Sequence, residues 1–167
     1  MTPWPESNPE FVAVLDNIRS LHNVGSIFRT ADGAGVGGLI LCGITGKPPR
    51  SEIRKAALGA EEVVPWKYLP TPLEAVETLR QQGYFIIGLE KTENSKLIYD
   101  IEFEVPVALV VGHEFHGVSE PVLSACHVVA HLPMLGHKIS LNVSVAFGIA
   151  AYELRRRMRA KQRIAWE

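Results

Sequence analysis

Apolar residues fall in short, nearly unbroken runs, separated by segments in which they recur every three or four positions. The runs are FVAVLDNI (11–18), GLILCG (38–43), EVVPWKY (62–68), YFIIGLE (84–90), VALVVG (107–112) and HVVAHLP (127–133). A strand buried on both faces of a parallel sheet has no polar side to show, so such runs predict strands of that kind. The intervening segments, about 23–34, 51–58, 72–82 and 119–126, predict helices, and 140–163 predicts the longest. Thr71 followed by Pro72 makes a good helix start. A threonine oxygen accepts an orphan N–H, and proline at the first helical position gives up none that the helix needs. Strand and helix in alternation imply an α/β fold, a mostly parallel sheet with helices on both faces. No repeat, low-complexity tract or linker divides the chain, so residues 1–167 are expected to form one domain.

The last predicted helix, ISLNVSVAFGIAAYELRRRMRAKQR, places Leu141, Val145, Ile149 and Tyr152 at four- or three-residue steps on one apolar face. Gly148, Ala150 and Ala151 make it slim, which suits close approach of a neighbour. That neighbour is either the protein's own core or a second copy, and the sequence leaves both open.

Composition narrows the class. With 47% hydrophobic and 21% charged residues, the chain reads as an ordinary globular protein. No apolar run approaches the roughly 20 residues that span a bilayer. The opening MTPWPESNPE lacks the basic-then-apolar build of a signal peptide, so the cytosol is expected, with Cys42 and Cys126 reduced. A net charge of −1 argues against a nucleic-acid partner, but its distribution argues the other way. Residues 153–167 hold six basic and two acidic groups, a net +4, against −5 for the rest. A basic helix end carrying Arg155, Arg156 and Arg157 suits an anionic partner such as RNA, or merely complements the helix dipole.

Some apparent motifs dissolve on inspection. GAGVGG (33–38) satisfies G-x-G-x-x-G but follows a helix and leads into a strand, the reverse of a dinucleotide fingerprint. It reads as a helix C-cap and turn. His113/His116 and His127/His131 have tempting spacings, but the second pair falls in a predicted strand, where a spacing of four tells little, and no metal is expected. No nucleophile elbow or P-loop is present.

Three segments resist a scaffold reading. In DNIRSLHNVGSIFRTADGAG (16–35) a buried strand gives way to polar residues, with Asn23 and Arg29 six apart. In VVGHEFHGVSE (110–120) Glu114 stands at a strand's C-terminal end, where open α/β sheets bind ligands. In LPMLGHKISLNVS (132–144) a Pro/Gly loop opens the last helix with Ser140, Asn142 and Ser144, and Ser140 is the candidate N-cap.

The phrases NVGSIFRTADGAGV, LVVGHEFHGVSE and LPMLGHKISLNVSVAFGIAAYEL together resemble the three motifs of the SpoU (TrmH) family, in the SPOUT class of RNA methyltransferases. The likeness runs over about residues 11–157, and RKAALGAEEVVPW (54–66) resembles one branch of the family. It implies a C-terminal trefoil knot, an exception to the rule against threaded chains. It also implies S-adenosylmethionine as cofactor, a homodimer with a composite site, and methyl transfer to a ribose 2′-hydroxyl of tRNA or rRNA. By motif, Asn23, Arg29, Glu114, Ser140 and Asn142 would be the catalytic set, with Gly112, Leu132 and Leu141 lining the cofactor site. Phe115 departs from the glycine that many members carry after the glutamate, which bears on loop shape and substrate fit.

The implied chemistry asks mainly for alignment of a ribose oxygen with an activated methyl group. A guanidinium pKa above ~12 makes Arg29 a poor base. It suits better the role of stabilising a developing alkoxide and anchoring phosphate. The rival readings are methylation of an RNA base and a non-catalytic RNA-binding module. The resemblance fits tRNA or rRNA, with a slight lean to tRNA because small knotted domains of this family with short tails often act there.

Overall fold

A computed structural model describes residues 2–166. In chain order the elements are β1 (Phe11–Asp16), α1 (Leu21–Ala34), β2 (Leu39–Cys42), α2 (Ser51–Ala57), α3 (Ala60–Val63), β3 (Trp66–Leu69) and α4 (Pro72–Gln81). There follow β4 (Phe85–Leu89), β5 (Lys96–Leu97), a 3-10 turn at Ile98–Asp100, β6 (Val107–Gly112), α5 (Glu120–Ala125), β7 (Val128–His131) and α6 (Val143–Gln162). The strands form one sheet in the order β3-β2-β1-β6-β4-β7-β5, and every pairing is parallel. The α/β class and the helices on both faces follow the sequence pattern.

β1 and β6 lie at the centre, and every residue of both is buried, which is why their sequences carry no alternation. One face packs Leu15, Leu41 and Leu109 against α1, α2 and α6 through Ile27, Phe28, Ile53, Phe147 and Leu154. The other packs Val14, Ile40 and Val110 against α4 and α5 through Val76, Leu79 and Val122. Thr71 caps α4 through Glu74 N, as its sequence predicts. Gly35 closes α1 at φ 69°, so the glycine cluster is a helix stop.

Three elements differ from the sequence reading. The run 62–68 divides at Pro65: residues 60–63 form a helical turn, steadied by Glu61 accepting from Gly59 N, and the strand begins at Trp66. β5 is two residues long, too short to leave a periodic signal. Finally, α6 starts at Val143 with Asn142 as its N-cap, so Ser140 is not the cap.

α1 and α6 run side by side in the same direction. Gly148 faces Thr30, Tyr152 lies over Gly33, and Arg155 reaches Ala34 and Gly35. The small residues therefore serve the protein's own packing, with Ala150 and Ala151 fully buried. The Leu141, Val145, Ile149 and Tyr152 stripe nonetheless stays 40–50% exposed along its length.

Candidate active site

The C-terminal strand ends carry the polar residues that the three motifs contribute. β6 ends at Gly112, and residues 113–117 fold back in a tight loop closed by Gly117 N donating to His113 O at 2.8 Å. Gly117 has φ 66°, and a Cβ there would collide with the Glu90 carboxylate, so both the conformation and the space require glycine. Glu90, at the end of β4, accepts from Val118 N at 3.0 Å and pins the loop from the sheet side.

Glu114 pins the loop from the other side. Its carboxylate accepts the backbone N–H groups of Arg19 and Ser20 and the Asn23 side-chain amide, all at 3.0 Å. Ser20 in turn caps α1 by accepting from Asn23 N. Partial burial pushes the Glu114 carboxyl up, but the hydrogen bonds from Asn23 and the two amides outweigh it and hold the group below the ordinary range.

Asn23 continues the connection. Its Oδ1 accepts from Asn142 Nδ2 at 3.1 Å, and Asn142 Oδ1 accepts from Ser144 N and Val145 N in the first turn of α6. The direction of every bond is forced. The α6 amides can only donate, so Asn142 must present its oxygen to them and its nitrogen to Asn23. Asn23 must then present its nitrogen to Glu114. The relay is therefore one-way and ends on a carboxylate that only accepts. It ties motif one to motifs two and three.

Beside the relay lies a hollow of about 430 Å³, within the range of small-molecule sites. Gly112, Leu132, Leu141 and Ser140 line it, as do Glu114 and Asn142. A Cβ on Gly112 would stand 2.3 Å from the Gly117 and Val118 backbone, so side-chain bulk is excluded at the base of the loop. Leu89, Val111 and Met134 give it apolar walls.

Arg29 does not join this group. It stands exposed on α1, next to Thr30 and near the open stripe of α6, and does not line the hollow. Glu114 and Asn142 are thus joined through Asn23, Ser140 faces the same hollow, and Arg29 lies outside it.

The basic tail divides as well. The Arg155 side chain is only 12% exposed; it donates to Ala34 O, Gly35 O and Glu10, closing the carbonyl end of α1. Arg157 donates to Ile98 O and Ile101 O and lies over the Phe103 ring. Arg156, by contrast, pairs with Glu153 on the open surface. Two of the three tail arginines are thus committed to holding α6 on the body.

Sequence reasoning passed over Glu90, Lys91 and Ser95, and weighed His131 only as a metal ligand. Glu90 ends an apolar run at the sheet's C-terminal edge, the same signal that marked Glu114. Lys91 Nζ meets His131 Nε2 at 3.2 Å, and His131 Nδ1 meets Ser95 Oγ at 2.8 Å, on the rim of the hollow. His127 accepts from Ile86 N and stacks on Phe85, and His113 stacks on His116. Among the described residues no group of three or more His, Cys, Asp or Glu is placed to hold a metal ion.

A parallel α/β sheet with its hollow at the strand C-termini, walled by a glycine loop and a helix start, defines a ligand-binding protein of the open-sheet type. The comparisons make this specific. The SpoU rRNA Methylase family matches residues 10–152, and the chain belongs to that family. A Staphylococcus saprophyticus protein assigned to the TrmH family of tRNA/rRNA methyltransferases is 36% identical over 87% of this chain and 58% of its own length. The 23S rRNA (guanosine-2′-O-)-methyltransferase RlmB of Pseudomonas aeruginosa is 36% identical over 85% of this chain and 57% of its own. The AdoMet-bound rRNA methyltransferase of Sinorhizobium meliloti superposes with a TM-score of 0.85 at 29% identity, covering 94% of this chain and 61% of that one. The chain thus spans somewhat over half the length of the curated relatives it matches. Among the described residues no helix is long and apolar enough to cross a membrane.

Proposed function

We propose that this chain transfers a methyl group from S-adenosylmethionine to a ribose 2′-hydroxyl of tRNA or rRNA, acting in the cytosol as a homodimer. The observation that carries the reading is the one-way relay Asn142–Asn23–Glu114 at the mouth of the hollow. It holds the family's three motifs in one fixed arrangement. The 2′-oxygen as acceptor is supported by the likeness to RlmB.

The hollow suits the cofactor. Its apolar walls match an adenine ring, and Gly112 leaves backbone bare at the loop base, where a ligand's polar groups can be met by peptide atoms. Bound S-adenosylmethionine supplies a methyl group already activated on sulfonium. The protein then has to hold the ribose in line and offset the charge that grows on its oxygen. Glu114 and Asn23 keep the 113–117 loop and the start of α1 rigid, and Ser140 offers a hydroxyl on the opposite wall. Arg29, outside the hollow of its own chain, is assigned to the partner's hollow across a dimer formed by α1 and the exposed stripe of α6. There its guanidinium stabilises the alkoxide and meets phosphate. The C-terminal threading implied by the family belongs to the same reading, and Arg156 is the tail residue assigned to RNA.

Calorimetry with S-adenosylmethionine, followed by mass spectrometry of nucleosides from RNA treated with the protein, tests this. The expected product is a 2′-O-methylnucleoside, from a protein that sediments at twice the chain mass. A base-methylated product would move the activity to another acceptor, and cofactor binding without product would leave a binding module.

A further inference from the structure

A second hollow, of about 290 Å³, adjoins the first and shares His113 and Gly117 with it. It opens between the loops that follow β1, β2 and β6, and the reading above gives it no role. Its polar floor is already satisfied. The Asp16 carboxylate, 1% exposed, accepts from Ser119 N, Ser119 Oγ and Asn17 Nδ2, and Asn17 Oδ1 accepts from Ile44 N. These neutral donors occupy the carboxylate, so the floor offers no free group for chemistry.

What the hollow does offer is flat and apolar. His113 and His116 stack with ring centroids 4.6 Å apart, and His113 Nδ1 accepts from Phe115 N and His116 N, which fixes the pair. Ile44 stands among the lining residues at 61% exposure. Ile44, on the turn after β2, thus stands open beside a ring pair on a loop pinned by Glu90 and Glu114, a fixed surface that a flat ligand can meet. Cations flank the site: Arg19 is exposed beside Glu114, and Lys47 lies over the ring of Tyr68, whose hydroxyl bonds Gly43 O next to Ile44. Flat apolar surfaces rimmed by cations fit a planar group carried on a polyanion.

We propose that the hollow lined by Ile44 and the His113–His116 ring pair seats an unpaired nucleobase of the RNA substrate. This rests on the reading that the chain acts on RNA, and it gives the GHEFHG loop a role in substrate choice beside that of Glu114. Base–aromatic stacking contributes an amount corresponding to roughly 5- to 100-fold in affinity per base.

The test measures binding of the intact protein, at low salt, to a single-stranded oligoadenylate and to an abasic ribose-phosphate chain of equal length. The wild-type protein should prefer the base-bearing strand. His116→Ala should weaken that strand roughly 5- to 100-fold while leaving the abasic chain unchanged, and Ile44→Ala should weaken it by less in the same selective way. His116→Phe, which keeps a ring, should restore the preference. S-adenosylmethionine affinity, measured alongside, should stay at the wild-type value in all three variants, which shows that the first hollow is intact. Equal wild-type binding to both strands, or equal losses on both in the alanine variants, overturns the nucleobase site and leaves the methyltransferase reading standing. Failure to bind either strand removes RNA as the partner, and the nucleobase site with it.

Discussion

Replacing Glu114 by glutamine keeps the shape of the side chain and removes its charge. The carboxylate accepts three N–H groups and donates none. Glutamine can keep its oxygen on Ser20 N and Asn23 Nδ2, but it then turns its own NH₂ toward Arg19 N. Rotating the amide loses two bonds in place of one. Asn23 cannot flip to help, because its oxygen is already fixed by Asn142, and Asn142 is fixed by the amides of α6. Two bonds therefore fall from charge-assisted to neutral, about 1 kcal/mol each, and the donor–donor contact costs about 1–2 kcal/mol more. Glu114 lies on the exposed side of the loop, so solvent screening reduces the sum by roughly half, to about 2 kcal/mol. For a chain of 167 residues that lowers Tm by roughly 4–8 °C.

Paired thermal and urea denaturation of wild type and Glu114→Gln measures this, and its pH dependence gives an internal check. The folded carboxyl titrates below its ordinary range, so its contribution is complete above the unfolded value of about 4.3. It disappears as pH falls through the folded value. The gap between the two proteins should be constant near neutrality and close progressively below about pH 4.3. Methyl transfer should fall about 10²-fold through misplacement of the loop and of Asn23. A stability gap under about 0.5 kcal/mol at neutral pH, or one that persists in acid, would refute the relay as the element that holds the motifs together.

Arg155→Ala removes three hydrogen bonds from a largely buried guanidinium and should cost about 2–4 kcal/mol in urea denaturation. Arg156→Ala should leave the denaturation midpoint in place and instead weaken RNA binding and flatten its dependence on salt. Gly112→Val drives a Cβ into the Gly117 and Val118 backbone, so calorimetry should show lost cofactor binding together with a destabilisation of about 1–3 kcal/mol. His131 titrates below its ordinary range because of burial and then the Lys91 charge, so it stabilises the fold in its neutral form, and that contribution is lost as pH falls. Lys91→Met should move the His131 titration upward in an NMR experiment, and an unchanged or lower midpoint would contradict the contact.

The sequence was most legible where one force decides the outcome. The fully buried central strands announce themselves as apolar runs, and Thr71-Pro72 marks a helix start because local chemistry alone sets it. It was least legible where local and tertiary demands compete. Val63, Val64 and Trp66 read as one strand until Pro65, which has no N–H to donate, splits them into a helical turn and a strand. β5 exists because β7 offers it an edge, and two residues carry no period of their own.

The contrast is sharpest at the start of α6. Ser140 and Asn142 are both good N-cap residues, and local preference does not choose between them. Tertiary structure does, because only Asn142 has a second arm. A serine hydroxyl at the cap would have to accept from the α6 amides and donate onward from one short-armed atom. An asparagine satisfies them with its oxygen and still has an N–H to pass to Asn23, whose own amide passes the connection to Glu114. The cap is thus chosen by the need to transmit orientation between motifs, and Ser140 stays free on the wall of the hollow. Arg29 shows the opposite limit. Its motif position marks it as chemical, yet within one chain it lies on an open surface away from the hollow. Among the described residues no side-chain hydrogen bond or ion pair engages Arg29, and the composite site proposed above, in which each copy supplies the guanidinium for the other, is the reading that would give both this cation and the exposed stripe of α6 a use.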